Sequence, residues 1–442
     1  MMKKLVLTAA AVALSATTSL AATEVTWWHA MGGELGKKLE EVAQKFNESQ
    51  SEYKVVPVFK GTYPETLTAA IAAFRAGQQP AIVQVFEVGT GTMMAAKGAV
   101  YPVYQVMKDA GEPWDTKGFL APVTGYYSDA SGNILSMPFN SSTPIMYYNK
   151  DVFKKAGLDP EVAPKTWAEL ATMGKKIVDS GAATCGFTLS YAATWVGLEN
   201  YSAIQDLPFG TLQNGFGGTK TEFTFNGPNQ AKFWDGLKKA QDDKVFKYGG
   251  PGGAAESAPM FYSQQCAVYM GSSASRAGVI NNAKGFQVGF APMPYDDTVT
   301  KEPKNSIIGG ATLWTLNGQK DKNVYKGVAK FFTYLSKPEV QADWHQFTGY
   351  LPITNAAYEL GQSQGYYAKN PGSDIAIKQI MRGTPSDNSK GVRFGNLTQI
   401  RDLVDQQFEA VLSGKKTGQQ ALDEAAKQGN AILREFEAAN SN

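Results

Sequence analysis

A chain of 442 residues exceeds what one hydrophobic core supports, since single cores rarely grow past ~250–300 residues, so its length points to two α/β lobes. Its 42 basic residues face 40 acidic ones, a balance that leaves no electrostatic footprint for nucleic acid. With two His and two Cys in the whole chain, a metal centre lacks its usual ligands, and no metal or cofactor is expected.

The first residues read as a leader. Lys3 and Lys4 form a positive start, Leu5 to Thr17 an apolar stretch, and Ser19-Leu20-Ala21 a small-x-small cleavage site, which makes residues 1–21 a signal peptide. Cleavage takes two lysines from the 42, leaving 40 basic residues against 40 acidic. No Cys stands at that junction, and no later run approaches the ~20 apolar residues of a membrane span. The mature chain is therefore expected to be soluble and exported into an oxidising compartment. There, Cys185 and Cys266 either join or stay as two separate buried thiols. Sequence does not show whether their Cα atoms lie close enough, so both readings stay open.

Glu24 to Trp28 reads as a first strand, followed by a helix whose Leu35, Leu39, Val42, Ala43 and Phe46 share one face. Tyr53 to Phe59 is a second strand, and Pro64 suits the first turn of the next helix. Ala81 to Phe86 is a largely apolar run, as in a strand buried on both faces of a parallel sheet. This β-α-β-α-β order predicts a doubly wound sheet with a ligand crevice at the carboxyl ends of its strands. Tyr63 and Glu87 stand at two such ends. As loop residues they need only be solvated; the sheet rule shifts both toward the crevice.

The stretch 136–170 opens with a polar, hinge-like run, Asn140-Ser141-Ser142-Thr143, and Pro144 then pushes the chain toward extended geometry. Ile145 to Tyr148 reads as a buried strand, a short helix runs from Asn149 to Gly157, and Thr166 with Glu169 forms a capping box around Trp167. This order of strand, short helix, turn and T-W-x-E-L helix resembles the extracytoplasmic solute-binding proteins of carbohydrate-type ABC importers. In that family the polar run is where the chain first crosses between two lobes, and its hydroxyls face the cleft.

Further on, the glycine tract Tyr248 to Gly253 lacks the spacing of a phosphate-binding loop and reads as a surface loop. Cys266 to Met270 is a strand. The Gly271-Ser272-Ser273 turn after it offers donors to an anion, or simply caps the next helix. Paired Gly309 and Gly310 sit in a second crossing, where glycines often mark close approach to a ligand. Thr348 to Pro352 makes a third.

The strings EVGTGTMMA (87–95), PFNSSTP (138–144), NSIIGGATLW (305–314), WHQFTGYLPIT (344–354) and GNLTQIR (395–401) are more particular than the general pattern. They resemble the members of the family that serve Ugp-type importers of glycerol 3-phosphate. The resemblance implies a two-lobed α/β fold, each lobe a mostly parallel sheet flanked by helices and joined by crossover segments. Residues 22–140 and 308–348 would form one lobe, and 141–307 with 349–442 the other. It implies that Tyr63, Glu87, Ser142, Trp167, Ser272, Gly310, Tyr350 and Arg401 contact the ligand. The expected partners are sn-glycerol 3-phosphate or a glycerophosphodiester such as glycerophosphocholine, and the membrane permease subunits of the importer. A periplasmic, monomeric, non-catalytic protein follows. The alternative on the same fold is an oligosaccharide-binding protein.

The chemistry of the residues agrees. A phosphomonoester carries nearly two negative charges and three acceptor oxygens, so it calls for donors. Arg401 is the one cation of the set, and its planar fork can hold two oxygens at once. Glu87 would repel phosphate and suits glycerol hydroxyls. A phosphodiesterase is disfavoured, because no nucleophile–base–orienter set stands out.

Overall fold

The computed structural model describes residues 21–252 and 256–440; apart from Ala21, the leader lies outside them, as does Gly253 of the glycine tract. Ten strands form two sheets: β1 (Thr23–His29), β2 (Tyr53–Phe59), β3 (Ile82–Phe86), β4 (Val100–Tyr101), β5 (Met137–Ser142), β6 (Pro144–Asn149), β7 (Cys185–Leu189), β8 (Cys266–Ser272), β9 (Val288–Ala291) and β10 (Gly309–Leu316). The first sheet has the order β2-β1-β3-β10-β4, with β5 also on β10; the second is β7-β8-β6-β9.

Each sheet is mixed in a way that follows from the crossings. β1, β2 and β3 are parallel, whereas β10 runs antiparallel to β3, β4 and β5. In the second sheet β7 and β8 are parallel and β6 opposes both β8 and β9. The reversed strand of each sheet is thus the one arriving from the other lobe. Strands that deliver residues to a shared cleft end there, so a chain entering through the cleft has to run the opposite way.

The polar run Asn140 to Thr143 is not a flexible loop. Asn140 to Ser142 finish β5, Thr143 links it to β6, and all four residues are buried. Partners distant in sequence make this possible: Gln84 Nε2 donates to Asn140 Oδ1 at 2.9 Å, and the Thr143 hydroxyl lies 2.6 Å from that of Ser306. Asn140 and Thr143, so paired, can stay buried, while the Ser141 hydroxyl is buried without a hydrogen-bond partner among the described residues.

β6 separates two cores by simple alternation. Met146 and Tyr148 point into the second-lobe core with Phe187, Trp234 and Phe408. Ile145 and Tyr147 join the other core, with Trp27, Phe331 and Trp344 of the first lobe. Successive strand residues face opposite sides, so a single strand serves both. At the far end of the second sheet, Cys185 and Cys266 are register partners in β7 and β8 with Cα atoms 4.4 Å apart, and they form a disulfide. The third crossing stays close to the first lobe, with Leu351 N–H donating to Ser141 O and Leu120 N–H to Ile353 O.

Candidate ligand-binding site

The end of β3 passes directly into a short turn, Glu87–Gly89, which places Glu87 at the carboxyl edge of the first sheet. The helix Tyr63–Arg75 starts beside it, secured by a reciprocal cap between Thr62 and Glu65 and by Pro64 in its first turn. Tyr63 therefore has a fixed position, with its ring stacked on Phe86 at 5.3 Å. A relay of buried amides holds its hydroxyl: Ala30 N–H donates to Gln84 Oε1 at 2.8 Å, Gln84 to Asn140, and Asn140 Nδ2 to the Tyr63 oxygen at 2.9 Å.

These groups border a cleft of about 680 Å³. The first lobe lines it with Tyr63, Phe86 and Glu87, the second with Tyr191, Trp195, Ser272 and Arg401, and the crossings with Ser142, Gly310 and Tyr350. Seven of the eight residues singled out in the sequence thus surround one space. Trp167 does not. It starts the helix Trp167–Asp179 half-buried, edge-on to Phe233 at 4.9 Å and to Phe187 at 6.4 Å, as part of the second-lobe core.

The tryptophan that does line the cleft is Trp195, carried on a single π turn, Trp195–Glu199. Such wide turns often occur at functional sites. Its Nε1 donates to Ile308 O at 3.2 Å and its ring lies against Gly309, where a Cβ would come within 2.2 Å. Gly310 has φ +84°, and a Cβ there would meet Asn140 O at 2.0 Å. The glycine pair is therefore demanded first by the protein's own packing. The Ser272 hydroxyl accepts Ala274 N–H at 3.1 Å, so it makes the helix cap while its O–H remains a donor toward the cleft.

The sequence presents Arg401 as the one cation of the set, and the structure adds the two carboxylates that pair with it. Arg401 lies on the helix Leu397–Leu412. Its Nε and Nη2 donate to Glu199 Oε1 and Oε2 at 2.8 and 2.7 Å, fork to fork, while Nη1 donates to Glu87 Oε1 at 3.0 Å. Glu199 is 2% exposed and Glu87 7%. Sequence gave no sign of Glu199, which precedes its partner by 202 residues. Burial works against the guanidinium charge, but Glu199 and then Glu87 outweigh it and hold Arg401 protonated.

Burial pushes Glu87 up to about 6; Arg401 restrains that rise and Glu199 adds to it. One turn further along the helix, burial pushes Asp405 to about 7, against the Gly252 N–H that donates to it at 2.9 Å. With both glutamates ionised the triad carries one net negative charge. Among the described residues, three of the five Arg401 N–H donors are taken, which leaves one each on Nη1 and Nη2.

Two α/β lobes, strands ending at a shared polar cleft and three crossing segments define an extracytoplasmic solute-binding architecture. The chain belongs to the bacterial extracellular solute-binding protein family, whose sequence pattern matches residues 41–372. It is 52% identical over 423 residues to the sn-glycerol-3-phosphate-binding periplasmic protein UgpB of Salmonella typhimurium, covering 96% of this chain and 95% of that one. It is 50% identical over 433 residues to the protein of the same name from Yersinia pseudotuberculosis, covering 97% of each. The fold matches that of UgpB from Mycobacterium tuberculosis in complex with glycerophosphocholine, with a TM-score of 0.76 at 19% identity over 94% of this chain and all of the other. It also matches the cyclic alpha-maltosyl-1,6-maltose binding protein of Arthrobacter globiformis, with a TM-score of 0.73 at 21% identity over 94% and 100%. Among the described residues no helix is long and apolar enough to cross a membrane, and no group of three or more His, Cys, Asp or Glu could hold a metal ion.

Proposed function

We propose that this protein is the periplasmic receptor of an ABC importer. It captures sn-glycerol 3-phosphate, and glycerophosphodiesters such as glycerophosphocholine, and delivers them to membrane permease subunits. The observation that carries this reading is the buried Arg401, with two N–H groups to spare on a cleft lined by the hydroxyls of Tyr63, Ser142, Tyr191, Ser272 and Tyr350. An anion with several acceptor oxygens matches that set, and each charge-assisted hydrogen bond contributes about 1.5–3 kcal/mol. Relatives at half identity over nearly the whole chain carry the same ligand and the same compartment in their names.

We assign phosphate recognition to Arg401, Ser142, Ser272, Tyr63, Tyr350 and the Gly310 N–H, with Glu87 accepting from glycerol hydroxyls. Trp195 takes the place first given to Trp167, packing its face on the carbon chain. Residues 22–140 with 308–348, and 141–307 with 349–442, act as the two bodies that close. The role is capture without chemistry. Incubation with glycerophosphocholine should release neither choline nor phosphate.

Calorimetry with glycerol 3-phosphate, glycerophosphocholine and maltose tests the ligand class. Heat from the esters and none from maltose is the expected result. Heat from maltose alone would install the oligosaccharide reading instead.

A further inference from the structure

The charge count at the floor of the cleft is the unusual feature of this site. A receptor for anions has placed its cation between two carboxylates, so the triad is one charge short before any ligand arrives. Glu87 comes from the first lobe, at the end of β3, whereas Glu199 and Arg401 come from the second. The carboxylates also differ in kind. Glu199 binds both ends of the Arg401 fork and does not line the cleft. Glu87 lines the cleft and holds the guanidinium through one oxygen only.

We propose that capture of a phosphate ester is coupled to uptake of one proton by Glu87, and that Glu199 is the positioning residue that fixes the Arg401 fork and sets this charge balance. The inference rests on the phosphate-ester reading of the cleft. The proton comes from solvent and forms an O–H bond on the Glu87 carboxylate. The triad becomes neutral as the anion takes the two spare N–H groups, and the new carboxylic O–H is one more donor in reach of the ligand. Without that proton, two carboxylates and a phosphate would share one dry space with one cation.

The surroundings of Glu87 leave it little other relief. Arg401 and Glu199 face it from the second lobe, and Tyr63, Tyr126, Tyr127, Tyr191 and Tyr350 surround it. Burial keeps these phenols neutral, and the nearby Arg393 directs three of its five N–H donors to Tyr126 O, Ser128 O and Phe216 O. Burial already brings Glu87 to about 6 in the free cleft, and an anion beside it can only raise it further. Affinity is therefore full below that value. It falls as pH rises above it, by up to about tenfold per pH unit for a single proton. Asp405, near Arg401 on the same helix, titrates close by at about 7 and serves as the control.

The test uses glycerophosphoglycerol, a diester with a single negative charge and an uncharged head group, because a monoester titrates near 6 on its own account and a choline head group would bring a cation of its own. Calorimetry in buffers of different ionisation enthalpy, one pH unit above and one below the Glu87 value, counts the protons taken up. The expected result is an uptake approaching one at the higher pH and near zero at the lower. Glu87→Gln should bind without uptake, Glu199→Gln should bind with uptake reduced and a flatter pH profile, and Asp405→Asn should behave as wild type. Binding with buffer-independent heat at both pH values overturns the proposal and leaves the ligand reading intact, as does uptake that persists in Glu87→Gln. No binding heat from wild type with either ester would overturn both.

Discussion

Replacing Arg401 separates what the guanidinium does for the fold from what it does for the ligand. Arg401→Met leaves Glu199 buried and unpaired, and breaking a buried pair by removing one partner costs about 3–5 kcal/mol. Adding Glu199→Met replaces the pair by apolar side chains of similar volume, which is often close to neutral. The single variant should therefore be much less stable than wild type, and the double variant should recover most of the loss. The measurement belongs below pH 6, where Glu87 takes its proton and adds no second unpaired charge. Ligand affinity should not recover. The two spare N–H groups contribute about 3–6 kcal/mol between them, so both variants should bind at least about a hundredfold more weakly. Urea unfolding and calorimetry supply the two readouts. A double variant as unstable as the single would refute the view that an unpaired Glu199 is the cost, and tight binding by Arg401→Met would remove that residue from the ligand's reach.

Trp195→Leu should weaken ester binding up to about tenfold through the lost ring face, whereas Trp167→Leu should cost about 1–3 kcal/mol of stability with affinity unchanged; the opposite pattern in calorimetry and thermal unfolding would exchange their roles. Removing the disulfide with Cys185→Ala and Cys266→Ala frees a separation of 81 residues. Chain entropy puts that loss at about 4–5 kcal/mol, and a denaturant midpoint equal to wild type would contradict it. Asp405 has a folded pKa of about 7, above its ordinary 3.8, so the folded state holds its proton more tightly and loses stability as pH rises from about 4 to 7. Asp405→Asn should flatten that decline, gaining stability at pH 8 and little at pH 4; an unchanged pH profile of unfolding would count against it.

Much of the first lobe was readable because it is local. The period of Leu39, Val42, Ala43 and Phe46, the apolar run Ala81 to Phe86 and the helix signal at Pro64 are short-range preferences, and each element lies where they put it, as does the second-lobe helix signalled at Thr166. What escaped depends on long-range partners. Asn140 to Thr143 read only as a polar, hinge-like run because Gln84 and Ser306, which pair with Asn140 and Thr143, lie 56 and 163 residues away. Trp167 was picked out by its capped helix start, whereas Trp195, on a π turn with no such signal, is the tryptophan that lines the cleft. Glu199 had no signal of its own, since a carboxylate is defined by its cation and that cation arrives 202 residues later.

The ladder between β5 and β10 brings together Ser142 with Gly309 and Ser141 with Gly310. Two of the passages between the halves of the molecule are therefore bound to each other as one ribbon, and Ser142 and Gly310 of that ribbon also border the cleft. Any rotation of one half against the other has to bend the floor on which the cargo rests. A substitution at either position will thus alter grip and swing together, and evolution of a new cargo on this scaffold would have to retune the joint along with the pocket.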